Sequence, residues 1–112
     1  MSNFDLEELS FQIHNNSVSK GFWSDKDDED RVNQILAKMM LVDTEVSELA
    51  EAYVKSSGSE AILKEFSDII IRVLDLYAAM IRYKIVDGVL SKSLIEKIEY
   101  NKTRPPKHNR LM

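Results

Sequence analysis

Two long stretches of helical periodicity, separated by a short polar segment, constrain the fold of this chain more than any other feature. The first begins at about Glu29, and its apolar residues recur every three or four positions for over twenty residues. The second runs from about Ser59 to Lys84 and is apolar around most of its circumference, so we expect it to be mostly buried. The core-facing stripe of the first is predicted to centre on Val42, Val46, Leu49 and Tyr53.

The segment KSSGSE, residues 55 to 60, predicts a tight turn between these two helices. Gly58 permits a positive φ, and Ser57 followed three residues later by Glu60 fits a capping box at the start of the second helix. Helices joined by so short a connection lie side by side and antiparallel. The two stretches are therefore predicted to form a helical hairpin.

Two shorter helices complete the predicted architecture. Asn3 or Asp5 can cap a helix that runs to about Asn15, and another helix covers about residues 91 to 100. No segment has the alternating pattern of a β-strand. We therefore predict an all-α fold, an antiparallel four-helix bundle, with residues 1–112 as a single domain.

The remaining segments lack helical periodicity. Residues at about 16–28 contain Gly21 and many polar side chains, and they are predicted to form a loop. Residues at about 102–112 are predicted to form an extended basic tail, because a residue that precedes Pro105 or Pro106 is biased away from helix.

Composition excludes several classes of protein. The formal net charge of −4 argues against a nucleic-acid polymer as partner, since such binding needs a basic face, although the basic tail could contact a smaller anion. The absence of cysteine excludes disulfides and thiolate metal sites. The first residues lack the features of a signal peptide, and no apolar run reaches the ~18 residues of a membrane span. We therefore expect a cytoplasmic protein with no membrane partner.

A polar stripe interrupts the apolar surface of the second long helix. Four side chains of this stripe fall within an arc of about 80° on a helical wheel. They are Glu65, Asp68, Arg72 and Asp75. Such a stripe is either the one solvent-exposed edge of the helix or the lining of a cleft. We expect Arg72 and Asp75 to support the site or to pair between subunits, without a direct catalytic role.

Two glutamates on the preceding helix complete an acidic patch. Glu48 and Glu65 are equidistant from the midpoint between residues 56 and 57, and so are Glu45 and Asp68. In an antiparallel hairpin these pairs lie at matching heights above the turn. Four carboxylates are thus predicted to converge.

A converging set of carboxylates needs compensation. Two like charges about 4 Å apart repel by roughly 4 kcal/mol at an effective dielectric near 20. Arg72, Lys64 or raised carboxyl pKa values could offset this repulsion, but a hard divalent cation with oxygen ligands does so most directly. From the residues alone, a solvated acidic face remains the alternative to a metal site.

Two acidic motifs and two flanking segments resemble a known family of enzymes. EVSE (45–48) and EFSD (65–68) resemble the ExxE and ExxD motifs of the MazG-like nucleoside triphosphate pyrophosphohydrolases. SKGFW (19–23) resembles the loop before the first long helix of small MazG-like proteins, and KIEYNKTRPPKHNR (97–110) resembles their closing segment. The resemblance therefore covers nearly the whole chain.

The resemblance implies a Mg²⁺-dependent reaction, with Mn²⁺ as a substitute, in which an NTP or dNTP and water give NMP and pyrophosphate. It also implies a bundle completed by assembly into a homodimer or homotetramer, and a role in cleaning the nucleotide pool. By motif position the metal ligands are Glu45, Glu48, Glu65 and Asp68. We take Glu48 as the catalytic base. The residues expected to contact the nucleotide are His14, Lys20, Trp23, Asn101, Arg104 and Lys107.

Some alternatives remain open at this point. Trp23 could stack on a base or fill the end of the bundle, and His14 could be an ordinary surface or capping residue. The closing motif of the family usually reads Lys-His-Gly, whereas Asn109 follows His108 in this chain. A non-catalytic nucleotide-sensing or helical dimerisation module with the same fold is the competing function, and a plain helical interaction protein is a third.

Overall fold

A computed structural model describes residues 4–24 and 30–106 of the chain. Within these ranges the chain forms four α-helices and no strand. The helices are α1 (Leu6–Ser19), α2 (Arg31–Val54), α3 (Ser59–Arg82) and α4 (Leu90–Thr103). The central helix is α3, which packs against both α1 and α2, whereas α4 packs mainly against α1. The predicted all-α helical bundle is confirmed, and none of these four helices is long and apolar enough to cross a membrane.

The first helix begins where the sequence predicts and ends later. The Asp5 side chain caps α1 by accepting a hydrogen bond from a first-turn backbone amide at 3.0 Å, as expected for one of the two predicted caps. The helix continues to Ser19 instead of ending near Asn15, so the loop predicted at 16–28 starts late. Tertiary packing explains the extra turn, because Ser17 is buried against α3, and such contacts override weak helix propensity.

A tight turn after α1 sends the chain back over the bundle. Gly21 has a φ of 81°, and the Phe22 amide donates to the Ser17 carbonyl oxygen at 3.0 Å. This Schellman arrangement satisfies carbonyl groups that the helix end leaves without partners, and glycine adopts its positive φ without strain. The turn leaves Phe22 57% exposed and places Trp23 in the interior, only 4% exposed.

The turn between α2 and α3 is tight, as predicted, but the capping box is wrong. Ser56 has a φ of 52°, and the Ser57 amide donates to the Ala52 carbonyl oxygen at 3.0 Å, which again closes a Schellman motif. Ser57 therefore belongs to the end of α2. Gly58, with the predicted positive φ of 98°, is the residue before α3, and no side chain caps that helix.

The last helix is longer than predicted at both ends, covering 90–103 instead of about 91–100. Asn101 therefore lies on the helix, and extended backbone begins only at Arg104, where ψ is 139°. The predicted extended tail at about 102–112 thus starts as helix, and its residues from 107 onward lie outside the described part of the chain.

The interior is more polar than the sequence predicts. The buried apolar residues are Trp23, Ile35, Leu74, Ala78 and Ala79. The buried polar or charged residues are Ser10, His14, Ser17, Glu45 and Asp75. Because buried polar groups need hydrogen-bond partners, polar contacts as well as apolar packing organise this interior.

The predicted core stripe of α2 is correct only in part within the single chain, because Val42 and Leu49 are half-buried. Val46 and Tyr53, from the predicted core stripe of α2, are 47% and 74% exposed, whereas Glu45 is buried. The α3 helix likewise leaves Phe66 half-exposed and buries Asp75. The physical reason is that Glu45 and Asp75 find ionic and hydrogen-bonding partners between the helices, which turns the polar stripes inward and leaves broad apolar faces outside.

Candidate metal centre

Three of the four predicted metal ligands meet between α2 and α3. Glu45 of α2 and Glu65 and Asp68 of α3 each offer a carboxylate oxygen, and these three oxygens all lie within 4.8 Å of one another. The antiparallel hairpin produces this meeting, because it sets residues at equal distances from the turn side by side. Glu45 is buried, Glu65 is half-buried and Asp68 is exposed, so the cluster lies at a border between interior and solvent.

The fourth predicted ligand, Glu48, lies beside this cluster and is not one of its three converging residues. Its side chain is exposed, and it faces a second depression that it shares with Glu65, on the side of the α2–α3 turn. A hydrogen bond between Glu45 and Glu48 raises the pKa of Glu48 and lowers the pKa of Glu45. Of the pair, Glu48 therefore binds a proton more readily than Glu45.

Electrostatic crowding also acts on Glu65. Partial removal from solvent raises the pKa of Glu65, and the neighbouring Asp68 carboxylate raises it further. Both effects disfavour the charged form, and a bound cation would reverse them by favouring it. Repulsion between the carboxylates of the cluster is thus only partly relieved.

The protein itself supplies one positive charge at this cluster. The Arg72 Nε atom lies 3.2 Å from Glu45 Oε2, and the guanidinium contributes to the lowered pKa of Glu45. The sequence also offered Lys64 as a counter-charge, but Lys64 pairs at 3.8 Å with Glu60, away from the cluster, and both side chains are exposed. One guanidinium faces three carboxylates, so negative charge remains in excess.

A cleft opens next to the carboxylates and extends along α3 toward α1. Its volume is about 220 Å³. Carboxylates and Arg72 line it at the cluster end, and apolar and amide side chains line it on the α1 side. The lining residues are Ile13, Asn16, Ser17, Phe22, Glu45, Asp68, Ile71, Arg72 and Asp75. This cleft combines a charged end with a partly apolar wall, as a site for a small amphiphilic molecule requires.

Asp75 forms the centre of a buried hydrogen-bond network at the α1 side of the cleft. The Ser17 hydroxyl donates to Asp75 Oδ2 at 3.0 Å, and the Trp23 indole N–H donates to both carboxylate oxygens at 3.1 Å. His14 Nδ1 lies 2.8 Å from Asp75 Oδ1. The sequence analysis expected only a supporting role for Asp75. Its position on the polar stripe of α3 was the available signal, but no pattern in the sequence indicated its three partners.

His14 lies between a carboxylate and a guanidinium. The Asp75 carboxylate can only accept, so His14 Nδ1–H donates to it at 2.8 Å. Arg82 Nη1 lies 3.5 Å from His14 Nε2, at the outer limit of a hydrogen bond. Ser17 also donates to Asp75 and not to His14, so these residues do not form the arrangement in which a histidine activates a serine nucleophile.

Trp23 and His14 are placed differently from the expectation that they contact a nucleotide. Both are almost fully buried, at 4% and 3% exposed, and their rings meet edge to face with centroids 5.3 Å apart. The ammonium of Lys38 lies 4.8 Å from the centroid of the Trp23 ring. The centroid of the Tyr83 ring lies 6.1 Å from that of Trp23. The structure therefore corrects the expectation that Trp23 offers an open face to a base, because its neighbours occupy both its edge and its faces. The interpretation of His14 as a surface or capping residue is also wrong.

Lys38 ties the segment after α1 to α2. Its ammonium group donates to the Phe22 carbonyl oxygen at 2.6 Å. Burial lowers the pKa of Lys38, while the nearby Asp75 carboxylate opposes that shift. The segment that carries Phe22 and Trp23 is thus held by one charged group from α2 and another from α3.

Three of the remaining predicted nucleotide contacts, Lys20, Asn101 and Arg104, do not line the cleft within one chain. Lys20 is exposed at the end of α1. Asn101 and Arg104 lie at the end of α4, where Arg104 Nη1 donates to Asn101 Oδ1 at 3.4 Å, and neither lines the cleft. Lys107 lies outside the described residues. The contact of these four residues with a nucleotide stays a prediction.

The residues present fit a hard divalent cation. All three converging groups offer carboxylate oxygens, the donors that Mg²⁺ and Mn²⁺ prefer. Two ligands of one Mg²⁺ ion are at most about 4.2 Å apart, since each bond is about 2.1 Å long. The separation of up to 4.8 Å therefore needs only a small adjustment of side chains, together with a partial release of Glu45 by Arg72.

No protein-family model, curated protein or solved structure matches this chain. The interpretation of the site therefore depends on its own geometry and charge. Those observations are three converging carboxylates with a guanidinium beside them and an adjoining cleft of about 220 Å³.

Proposed function

We propose that this chain is a Mg²⁺-dependent nucleoside triphosphate pyrophosphohydrolase that converts an NTP or dNTP and water to NMP and pyrophosphate. The observation that carries the proposal is the meeting of Glu45, Glu65 and Asp68 across the α2–α3 hairpin, next to a cleft of about 220 Å³. The similarity of the two acidic motifs to those of MazG-like enzymes supports the same assignment. A place in cleaning the cytoplasmic nucleotide pool is part of this proposal.

Glu45, Glu65 and Asp68 would hold the metal ion. Bound there, Mg²⁺ or Mn²⁺ would supply charge neutralisation at the phosphate oxygens and would acidify a water molecule. Glu48 is exposed beside the cluster, and its raised pKa makes it a stronger base than an ordinary glutamate. Glu48 would therefore accept the proton of the attacking water.

The cleft would hold the nucleoside part of the substrate. Phe22 lines the cleft and is 57% exposed, so its ring provides the aromatic face that buried Trp23 does not. Asn16 and Ser17 supply polar groups on the same wall. Arg72, at the carboxylate end, can turn from Glu45 to a phosphate oxygen once a cation occupies the cluster.

A second copy of the chain would complete the bundle. Large apolar side chains of α2 and α3 are exposed in the single chain, more than isolated surface residues would explain. They include Val32, Leu36, Met40, Val46, Leu63, Phe66 and Ile70. A homodimer or homotetramer would bury these faces and would allow Lys20, Asn101, Arg104 and Lys107 to approach the cleft of a neighbouring subunit.

A nucleotide panel tests the proposed function. Purified protein is incubated with Mg²⁺ or Mn²⁺ and a series of canonical and modified NTPs and dNTPs, and the products are identified. We expect NMP and pyrophosphate from at least one of them, with loss of activity in Glu48→Gln and retained activity in the control Glu96→Gln, an exposed glutamate of α4. The enzyme assignment fails if no nucleotide is cleaved. Stabilisation by nucleotide without product would instead identify a nucleotide-sensing module.

A further inference from the structure

Asp75 lies on the same stripe of α3 as Asp68 but takes no part in the carboxylate cluster. We propose that Asp75 is the positioning residue of the cleft, which holds the α1 wall and the Phe22–Trp23 segment against α3. In this role it sets the affinity of the cleft for the nucleoside part of the ligand, and not the affinity of the cluster for metal. The identity of that ligand rests on the proposed function.

The hydrogen bonds of Asp75 join α3 to α1 and to the segment that follows α1. All three partners of Asp75 come from outside α3: His14 and Ser17 belong to α1, and Trp23 follows it. A buried carboxylate is strongly disfavoured unless donors satisfy it, and buried donors are disfavoured without an acceptor. Asp75 and its partners therefore stabilise each other in the interior. If α1 moved away from α3, Asp75 would lose its donors and the donors would lose their acceptor.

The hydrogen-bond network around Asp75 forms part of the wall of the cleft. Ser17 and Asp75 both line the cleft, and so does Phe22, the residue next to Trp23. Lys38 fixes the Phe22 carbonyl oxygen from the other side at 2.6 Å. The shape of the wall is thus determined by where Asp75 holds Trp23 and Ser17.

The carboxylate cluster forms independently of the role proposed for Asp75. Glu45, Glu65 and Asp68 belong to α2 and α3, and the hairpin that joins these helices brings them together without help from α1. Loss of the Asp75 network should therefore move the α1 wall and leave the three carboxylates in place. Loss of a purely structural residue would instead disturb the α1 wall and the carboxylate cluster alike, in proportion to the fraction of unfolded protein.

Asp75→Asn is the main test, with Asp87→Asn as its matched control. An amide of the same size offers one oxygen and places an N–H₂ group against a donor, so at least one of the three partners loses its acceptor. Asp87 is exposed between α3 and α4, where the same substitution changes no buried contact. His14→Leu and His14→Asn form a second pair of variant and control. Leu cannot donate a hydrogen bond to Asp75, whereas the Asn amide can. Neither substitution changes the cleft lining directly, because His14 does not line the cleft.

Trp23 gives a direct readout, since it is the only tryptophan of the chain. We expect Asp75→Asn and His14→Leu to shift its fluorescence emission to longer wavelength and to increase quenching by acrylamide. Wild type, Asp87→Asn and His14→Asn should remain alike. If Asp75→Asn fails to fold, as judged by circular dichroism, the His14 pair decides the outcome. An unchanged spectrum in the folded Asp75→Asn or His14→Leu protein overturns the proposal.

Kinetics then separate positioning from metal binding. With the best nucleotide and Mg²⁺, Asp75→Asn should raise KM about tenfold, the effect of losing a hydrogen bond to a charged group. kcat and the Mg²⁺ concentration for half-activity should stay close to the wild-type values. An unchanged KM, or a parallel loss of Mg²⁺ affinity, contradicts the positioning role. If the wild type cleaves no nucleotide, the proposed function fails separately, and the fluorescence comparison alone decides whether Asp75 holds the wall.

Discussion

The two acidic regions of α3 are built from the same residue types and yet have opposite electrostatic surroundings. At the end near the α2–α3 turn, Glu65 and Asp68 face Glu45, and the Arg72 guanidinium pairs with Glu45. At the α1 side, Asp75 faces only donors, from His14 and two further side chains. The protein satisfies Asp75 by itself and leaves the cluster with excess negative charge. The comparison shows that the neighbours of a carboxylate, more than its burial, determine how far the protein itself compensates its charge.

The largest expected effect tests the cluster. Asp68→Asn removes a charged ligand, and because a catalytic metal contributes several kcal/mol of charge stabilisation, activity should fall about 100-fold or more. Steady-state pyrophosphate release measures this loss, and circular dichroism checks that the helices persist. Activity within a few fold of wild type would show that Asp68 is not part of the metal site.

The second effect tests the other side of the comparison. Asp75→Asn should lower the free energy of unfolding by about 3 kcal/mol, because it breaks a buried network around a charged acceptor. Urea unfolding of the metal-free protein measures it. Asp68→Asn, which relieves repulsion in the cluster, should not lower stability under the same conditions. Equal destabilisation by both substitutions would remove the distinction between the two regions.

A smaller effect concerns the guanidinium at the cluster. Arg72 would compete with the proposed cation for Glu45, so Arg72→Met should lower the Mg²⁺ concentration for half-saturation by about threefold, the scale of a partly exposed ion pair. Calorimetric or spectroscopic titration with Mg²⁺ or Mn²⁺ measures the change. Weaker metal binding in the variant would mean that Arg72 orients Glu45 for the metal instead of competing with it.

The smallest effect is a pH dependence of the metal-free protein. The pKa of Glu65 is raised above its ordinary value of 4.5, so the folded state holds this proton more tightly than the unfolded state. Its contribution to stability is therefore fully present below pH 4.5 and is lost as pH rises through and above that value. Melting temperatures in EDTA should show this decline, and Glu65→Gln or saturating Mg²⁺ should reduce it. If the melting temperature declines equally with pH in wild type and in Glu65→Gln, groups other than Glu65 cause the decline.

The sequence predicted the acidic cluster well because local geometry controls it. A tight turn at Gly58 and two uninterrupted helices are enough to bring Glu45 level with Asp68, whatever the rest of the chain does. Glu48 was harder to place, because residues three positions apart on a helix differ by about 60° in direction, and only the rotation of α2 decides which one faces α3.

The Asp75 network was not predictable in the same way. His14 and Asp75 are 61 positions apart, and they meet because α1 crosses α3 with a particular rotation. The same rotation buries Trp23, which the family resemblance would have placed against a nucleotide. Sequence periodicity also pointed the apolar faces of α2 and α3 inward, since it measures the amphipathic character of a helix and not which side its partner covers.

The sequence alone thus determined the helices, the tight α2–α3 turn and the level at which the acidic residues meet, because those features follow from periodicity, a positive φ and the rise per residue. Only the tertiary structure decided which stripes face inward, which three carboxylates converge and which donors satisfy Asp75. The reason is that the rotation of each helix about its own axis is set by contacts between distant parts of the chain. In this protein several of those contacts are polar.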